Sequence, residues 1–68
     1  MQDIQISIAA CRVNAKLTQK EFADKMGVSP ATVFNWENGK TEPDVSELRK
    51  ISQLSGIPMD FIFVQSQS

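Results

Sequence analysis

A helix end and a helix start lie within a few residues of each other in this chain, and that junction constrains the fold more than any other feature. Phe22, Ala23 and Met26 fall at helical spacing and are followed by Gly27, which can take the left-handed conformation that closes a helix. Ser29-Pro30 then supplies an N-cap side chain and a proline at the first helical position, where its missing N–H would be unsatisfied anyway. Two helices joined by so short a turn must cross closely. The crossing needs a small side chain, Ala23, and apolar ones filling the angle, Val28, Val33 and Trp36. The unit runs from Thr18, which stands three residues before Glu21 in capping-box order, to Asn38, with Gly39 as its stop.

Around this unit the chain is cut into other short helical lengths. Ile4, Ile6 and Ile8 alternate as an extended lead-in, after which Ser7 caps a helix from Ile8 to about Asn14, with Cys11 and Ala15 on its apolar face. Asp44 and Glu47 form a second capping pair, and Val45, Leu48, Ile51 and Leu54 or Ser55 give a fourth amphipathic helix that Gly56 closes. Met59 to Val64 is strongly apolar and is predicted as a short fifth helix; residues 65–68 are predicted as a frayed tail. The expectation is an all-α, five-helix single domain over residues 1–68. Phe61, Ile62, Phe63 and Val64 cannot all face one way on a helix, so the surplus, with Met59, Ile4 and Ile6, is expected to form a homodimer patch.

Size and residue usage narrow the function. A chain of 68 residues has room for one small core. Cys11 is its only cysteine and it has no histidine. An intramolecular disulfide, a Cys/His zinc site and a Ser-His or Cys-His catalytic pair are therefore excluded. The carboxylates of Glu21 and Asp24 lie on a solvated helix face with no nucleophile or metal ligand near them. No enzyme activity, cofactor, metal or small-molecule substrate is expected. No segment approaches the ~18 apolar residues of a membrane span, and the N-terminus lacks the basic start and apolar run of a signal peptide, so a cytoplasmic location is expected.

With Val33 and Trp36 inward, the outer side of the third helix shows Pro30, Ala31, Thr32, Phe34, Asn35 and Asn38. Such a helix can enter a DNA major groove while its predecessor lies across the backbone. Asn35 can pair with adenine, Thr32 can hydrogen-bond a base or phosphate, and Ala31 can touch a thymine methyl. No arginine stands among them. Gln19, at a helix start, together with Lys20, Lys40 and the Asn38 amide, is placed to hold phosphates. Charge gives this reading little help. Seven basic side chains face eight acidic ones, although the first forty residues carry five basic and four acidic.

The run Leu17-Thr18-Gln19, Phe22-Ala23, Met26-Gly27-Val28-Ser29, Thr32-Val33 and Trp36-Glu37-Asn38-Gly39-Lys40 strongly resembles the phage-repressor and Cro-like, or XRE-type, helix-turn-helix family. The likeness continues through Pro43, Leu48, Ile51 and the Gly56-Ile57 turn, covering nearly the whole chain. It implies a compact lambda-repressor-like domain of five helices with the third in the major groove. It also implies that Gln19, Pro30, Ala31, Thr32, Asn35 and Asn38 face DNA, and that Arg12 pairs with Glu37 inside the domain. The function implied is a sequence-specific transcriptional regulator, a repressor of phage or prophage type, bound as a homodimer to a palindromic operator in double-stranded DNA. Three residues depart from the family pattern. Lys16 stands where glycine is common in a left-handed turn, Pro58 replaces a hydroxyl cap, and Phe34 is apolar where the family is commonly polar. The alternative from a different class is a protein-interaction module, antitoxin-like or an anti-repressor partner, that keeps the fold and docks through Phe34 and the C-terminal apolar surface.

Overall fold

In the computed structural model, which describes residues 5–64, a short strand β1 (Ile6–Ser7) leads into helices α1 (Ile8–Asn14), α2 (Gln19–Met26), α3 (Pro30–Glu37) and α4 (Val45–Ser55). A single 3-10 turn at Met59–Phe61 and strand β2 (Ile62–Phe63) follow. Every α-helix starts where a side chain can satisfy its free N–H groups. Ser7 accepts from the Ala10 N–H and Ser29 from the Thr32 N–H, with Pro30 in the first turn. Thr18 with Glu21 and Asp44 with Glu47 each close a full capping box.

The helix ends are equally local. At Gly27 (φ 76°) the Gly27 N–H donates to the Asp24 carbonyl and the Val28 N–H to the Ala23 carbonyl, the paired bonds of a Schellman end. Lys16 takes the same left-handed conformation (φ 62°) after α1, with the Lys16 N–H on the Val13 carbonyl and the Leu17 N–H on the Arg12 carbonyl. It is the one non-glycine with positive φ among the described residues, at the position where the family pattern favours glycine.

The core is built from Ile8, Cys11, Phe22, Ala23, Met26, Val33, Trp36 and Ile51, with Leu17, Val28, Leu48, Leu54, Ile57 and Ile62 packed around it. α2 lies chiefly against α3 and α1 chiefly against α4. Ala23 is wholly buried, the small residue that the close α2/α3 crossing requires. No helix of the described residues is long and apolar enough to cross a membrane.

The expected fifth helix does not form. Pro58 offers no side-chain acceptor to a first helical turn, and only two short bonds close it, the Phe61 N–H on the Pro58 carbonyl at 3.0 Å and the Ile62 N–H on the Met59 carbonyl. The chain then extends and pairs in parallel with β1, Ile6 opposite Ile62 and Ser7 opposite Phe63. Four α-helices therefore stand where five were expected, and the all-α architecture holds with only a two-residue strand pair in place of the last helix. The strand period of two also disposes of the crowded apolar run, since Ile62 and Val64 are half-buried while Phe61 and Phe63 stand exposed. The extended lead-in holds at Ile6, whereas Ile4 and the tail at 65–68 lie outside the described residues.

Candidate nucleic-acid interface

α3 owes its orientation to two inward residues a turn apart, Val33 at 0% exposure and Trp36 at 4%. The opposite side carries Pro30, Ala31, Phe34 and Asn38, all exposed, with Thr32 and Asn35 half-buried. Helical spacing stacks Ala31, Phe34, Asn35 and Asn38 along one face.

These polar side chains are not equally free. The Thr32 hydroxyl shares a hydrogen bond with the Ser29 hydroxyl at 3.0 Å and belongs to the helix cap. Asn38 donates its Nδ2 to the Phe34 carbonyl at 2.8 Å, which leaves only its amide oxygen and one N–H for an outside group. Asn35 is different. Its backbone carbonyl accepts the Lys40 N–H at 2.9 Å, but no hydrogen bond among the described residues uses its side-chain amide. No buried side-chain polar atom of the described residues lacks a partner, so that unpartnered amide must reach solvent.

Behind this face, Glu37 ties three helices together. Arg12 Nε donates to Glu37 Oε2 at 2.6 Å, Gln19 Nε2 donates to Glu37 Oε1 at 2.9 Å, and Arg12 Nη1 donates to the Leu17 carbonyl at 2.9 Å. The pair that the family resemblance implied is present, and it is the one ion pair among the described residues. Gln19 was missed as its third member. It stands at the start of α2, half-buried, with one amide N–H spent on Glu37 and its carbonyl oxygen unspent.

Lys20 and Lys40 are both exposed. Lys20 forms no ion pair among the described residues, whereas the Lys40 ammonium sits 5.8 Å from the centroid of the Phe34 ring. That contact was also missed, because Lys40 lies beyond the left-handed turn at Gly39 (φ 74°) and outside any helical spacing rule. Phe34 itself is 46% exposed. Two titrating groups depart from their ordinary values. The Thr18 N–H holds the Glu21 carboxyl below the usual glutamate range, and burial pushes the Cys11 thiol up. Both effects serve the fold. Cys11, at 0% exposure, is a core residue.

A family model described as helix-turn-helix matches residues 8–62. Among curated proteins the chain is similar to the uncharacterized HTH-type transcriptional regulator YqaE of Bacillus subtilis, with 34% identity over 82% of this chain and 48% of that protein. It is similar to the SPbeta prophage-derived regulator YonR of the same organism, 35% identical over 76% of this chain and 48% of that protein. To the regulator MJ0272 of Methanocaldococcus jannaschii it is 38% identical over 71% of this chain and 73% of that protein. The chain thus spans about half the length of the two Bacillus relatives. No solved structure matches it.

Proposed function

The chain belongs to the helix-turn-helix family, and from that membership we propose that it is a DNA-binding transcription regulator that seats α3 in the major groove. The observation that carries the proposal is the solvent-open Asn35 amide, set between exposed apolar neighbours on a helix whose other side is locked in the core. Asn35 reads adenine, and Pro30, Ala31 and Phe34 meet apolar parts of the groove. Thr32 contacts the backbone from within its cap. Gln19, Lys20, Asn38 and Lys40 hold phosphates and set the register without reading sequence.

The finer reading is a repressor of phage or prophage type, supported by the prophage-derived relative. It binds a palindromic operator as a homodimer with half-sites about 34 Å apart. The exposed rings of Phe61 and Phe63 beside the small sheet supply the apolar surface for that dimer. No cofactor and no catalytic group enter the reading. A second reading has its own observation, three exposed phenylalanines on a chain with a net charge of −1. On that view the same fold docks another protein.

Selection of random duplexes on the purified protein separates the two. A regulator enriches a short palindromic site, and a protein-docking module enriches none. On the enriched site, Lys20→Gln lowers the slope of log affinity against log salt by about one unit. A salt-independent affinity rejects the phosphate assignments.

A further inference from the structure

We infer that Phe34, with Ala31, makes thymine C5-methyl groups the principal readout of α3, so that the base steps facing this helix are A·T pairs recognised through their methyls. The inference rests on the DNA-binding reading and adds the chemical class of base that the helix selects.

Three observations carry it. From Pro30 to Trp36 the helix holds no charged side chain, and Glu37 is committed to Arg12 and Gln19. The helix itself therefore offers no guanidinium or ammonium for the N7 and O6 acceptors of guanine, and the nearby Lys40 ammonium lies over the Phe34 ring. The helix offers no carboxylate for the cytosine amino group either. What remains is the uncommitted Asn35 amide, whose matching partner is adenine, the Asn38 amide with one N–H already on the Phe34 carbonyl, and two apolar surfaces, the Ala31 methyl and the Phe34 ring. A thymine methyl is the major-groove feature that an apolar side chain can recognise.

Second, Phe34 is 46% exposed, a large ring held in water on a face that leads nowhere into the core. Lys40 places its ammonium over the ring, 5.8 Å from the centroid, which sets a charge suited to a phosphate beside the apolar surface. Third, Ala31 and Phe34 are three residues apart on one helix face, about 4.5 Å along its axis. Successive bases on one strand rise about 3.4 Å. The two apolar groups consequently match neighbouring base pairs, with Asn35 beside them to take an adenine.

The test uses the duplex selected by the parent protein, remade with uracil in place of thymine at each position in turn. Uracil keeps every hydrogen-bonding edge and removes only the methyl. Losing one buried methyl corresponds to about fourfold in affinity. The expected result is a loss of that size at one or two adjacent positions. Phe34→Ala should bind the thymine and uracil forms alike at one of them, and Phe34→Leu should keep part of the preference. Equal affinity of the parent for all thymine and uracil forms of a site it selects overturns this inference alone. So does a Phe34→Ala variant that keeps the full preference. Failure to select any duplex overturns the DNA-binding reading and the inference with it.

Discussion

Replacing Arg12 with methionine tests whether one carboxylate holds the first three helices in register. Glu37 is 8% exposed and Arg12 18%, so neither charge has much water to fall back on. Arg12→Met removes the 2.6 Å bond to Glu37 Oε2 and the 2.9 Å bond to the Leu17 carbonyl, leaving Glu37 with the Gln19 amide as its only partner. Stranding one member of a buried pair costs about 3–5 kcal/mol, and the residual exposure of Arg12 favours the lower end, ~3 kcal/mol. A domain of this size has a total stability of roughly 3–10 kcal/mol. The expected fall in Tm is about 12–24 °C, and the variant will be partly unfolded when warm.

Urea unfolding in the cold, followed by the fluorescence of Trp36, reads the effect directly. Trp36 is the only tryptophan, is 4% exposed and neighbours Glu37 in sequence. The double variant Arg12→Met/Glu37→Leu removes both charges together and should recover about 2 kcal/mol or more relative to the sum of the singles. A cost below about 1 kcal/mol for Arg12→Met, additive with Glu37→Leu, would place the pair among ordinary surface ion pairs and refute the reasoning.

Lys16→Gly relieves a side chain of its left-handed backbone and should stabilise the protein by about 0.5–1 kcal/mol. Gly27→Ala should destabilise it by about 1 kcal/mol; since nothing lies within 4 Å of the added Cβ, the cost is torsional, and thermal melts showing the opposite sign in either variant would contradict the turn geometry. The Glu21 carboxyl is held below its unfolded value, so its contribution to stability is complete above the ordinary glutamate range and is lost as pH falls through the lower folded value. An NMR titration of Glu21 at or above the ordinary glutamate value would refute this. Burial and a raised pKa should keep the Cys11 thiol silent toward a disulfide reagent until the domain unfolds, and rapid stoichiometric labelling of the native protein would show the site to be open.

What could be read from the sequence was what neighbours in sequence decide. Thr18 with Glu21, Asp44 with Glu47 and Ser29 with Pro30 mark helix starts within four residues, and each cap forms as the pattern implies. Val33 and Trp36, three apart, fixed which side of α3 faces outward. The fifth helix failed because β1 and β2 come from opposite ends of the described chain, and the four-residue apolar run from Phe61 to Val64 has no period that tells strand from helix. Pro58 was the local sign of it. In the site, the commitments of Thr32 and Asn38 to their own caps follow from rules that also make these residues good readers of bases, so residue type alone could not rank them below Asn35. The Gln19–Glu37 bond and the Lys40–Phe34 contact needed tertiary structure.

The carboxylate that orders the helices also determines how much charge a partner can use. Arg12 is the only arginine in the first forty residues, and it is spent on Glu37 inside the domain. Free positive charge beside α3 is then confined to lysines such as Lys20 and Lys40. On the proposed reading, affinity for DNA of arbitrary sequence is correspondingly weak, because that affinity comes from counterions released by phosphate contacts. A regulator with so few cationic phosphate contacts must draw its preference for one site from α3 itself. That demand is best met by a helix whose backbone does not have to be ordered on binding. Fixing α3 through Glu37 and the buried Trp36, while leaving Asn35, Ala31 and Phe34 unspent on its outer face, satisfies both conditions with the same few residues.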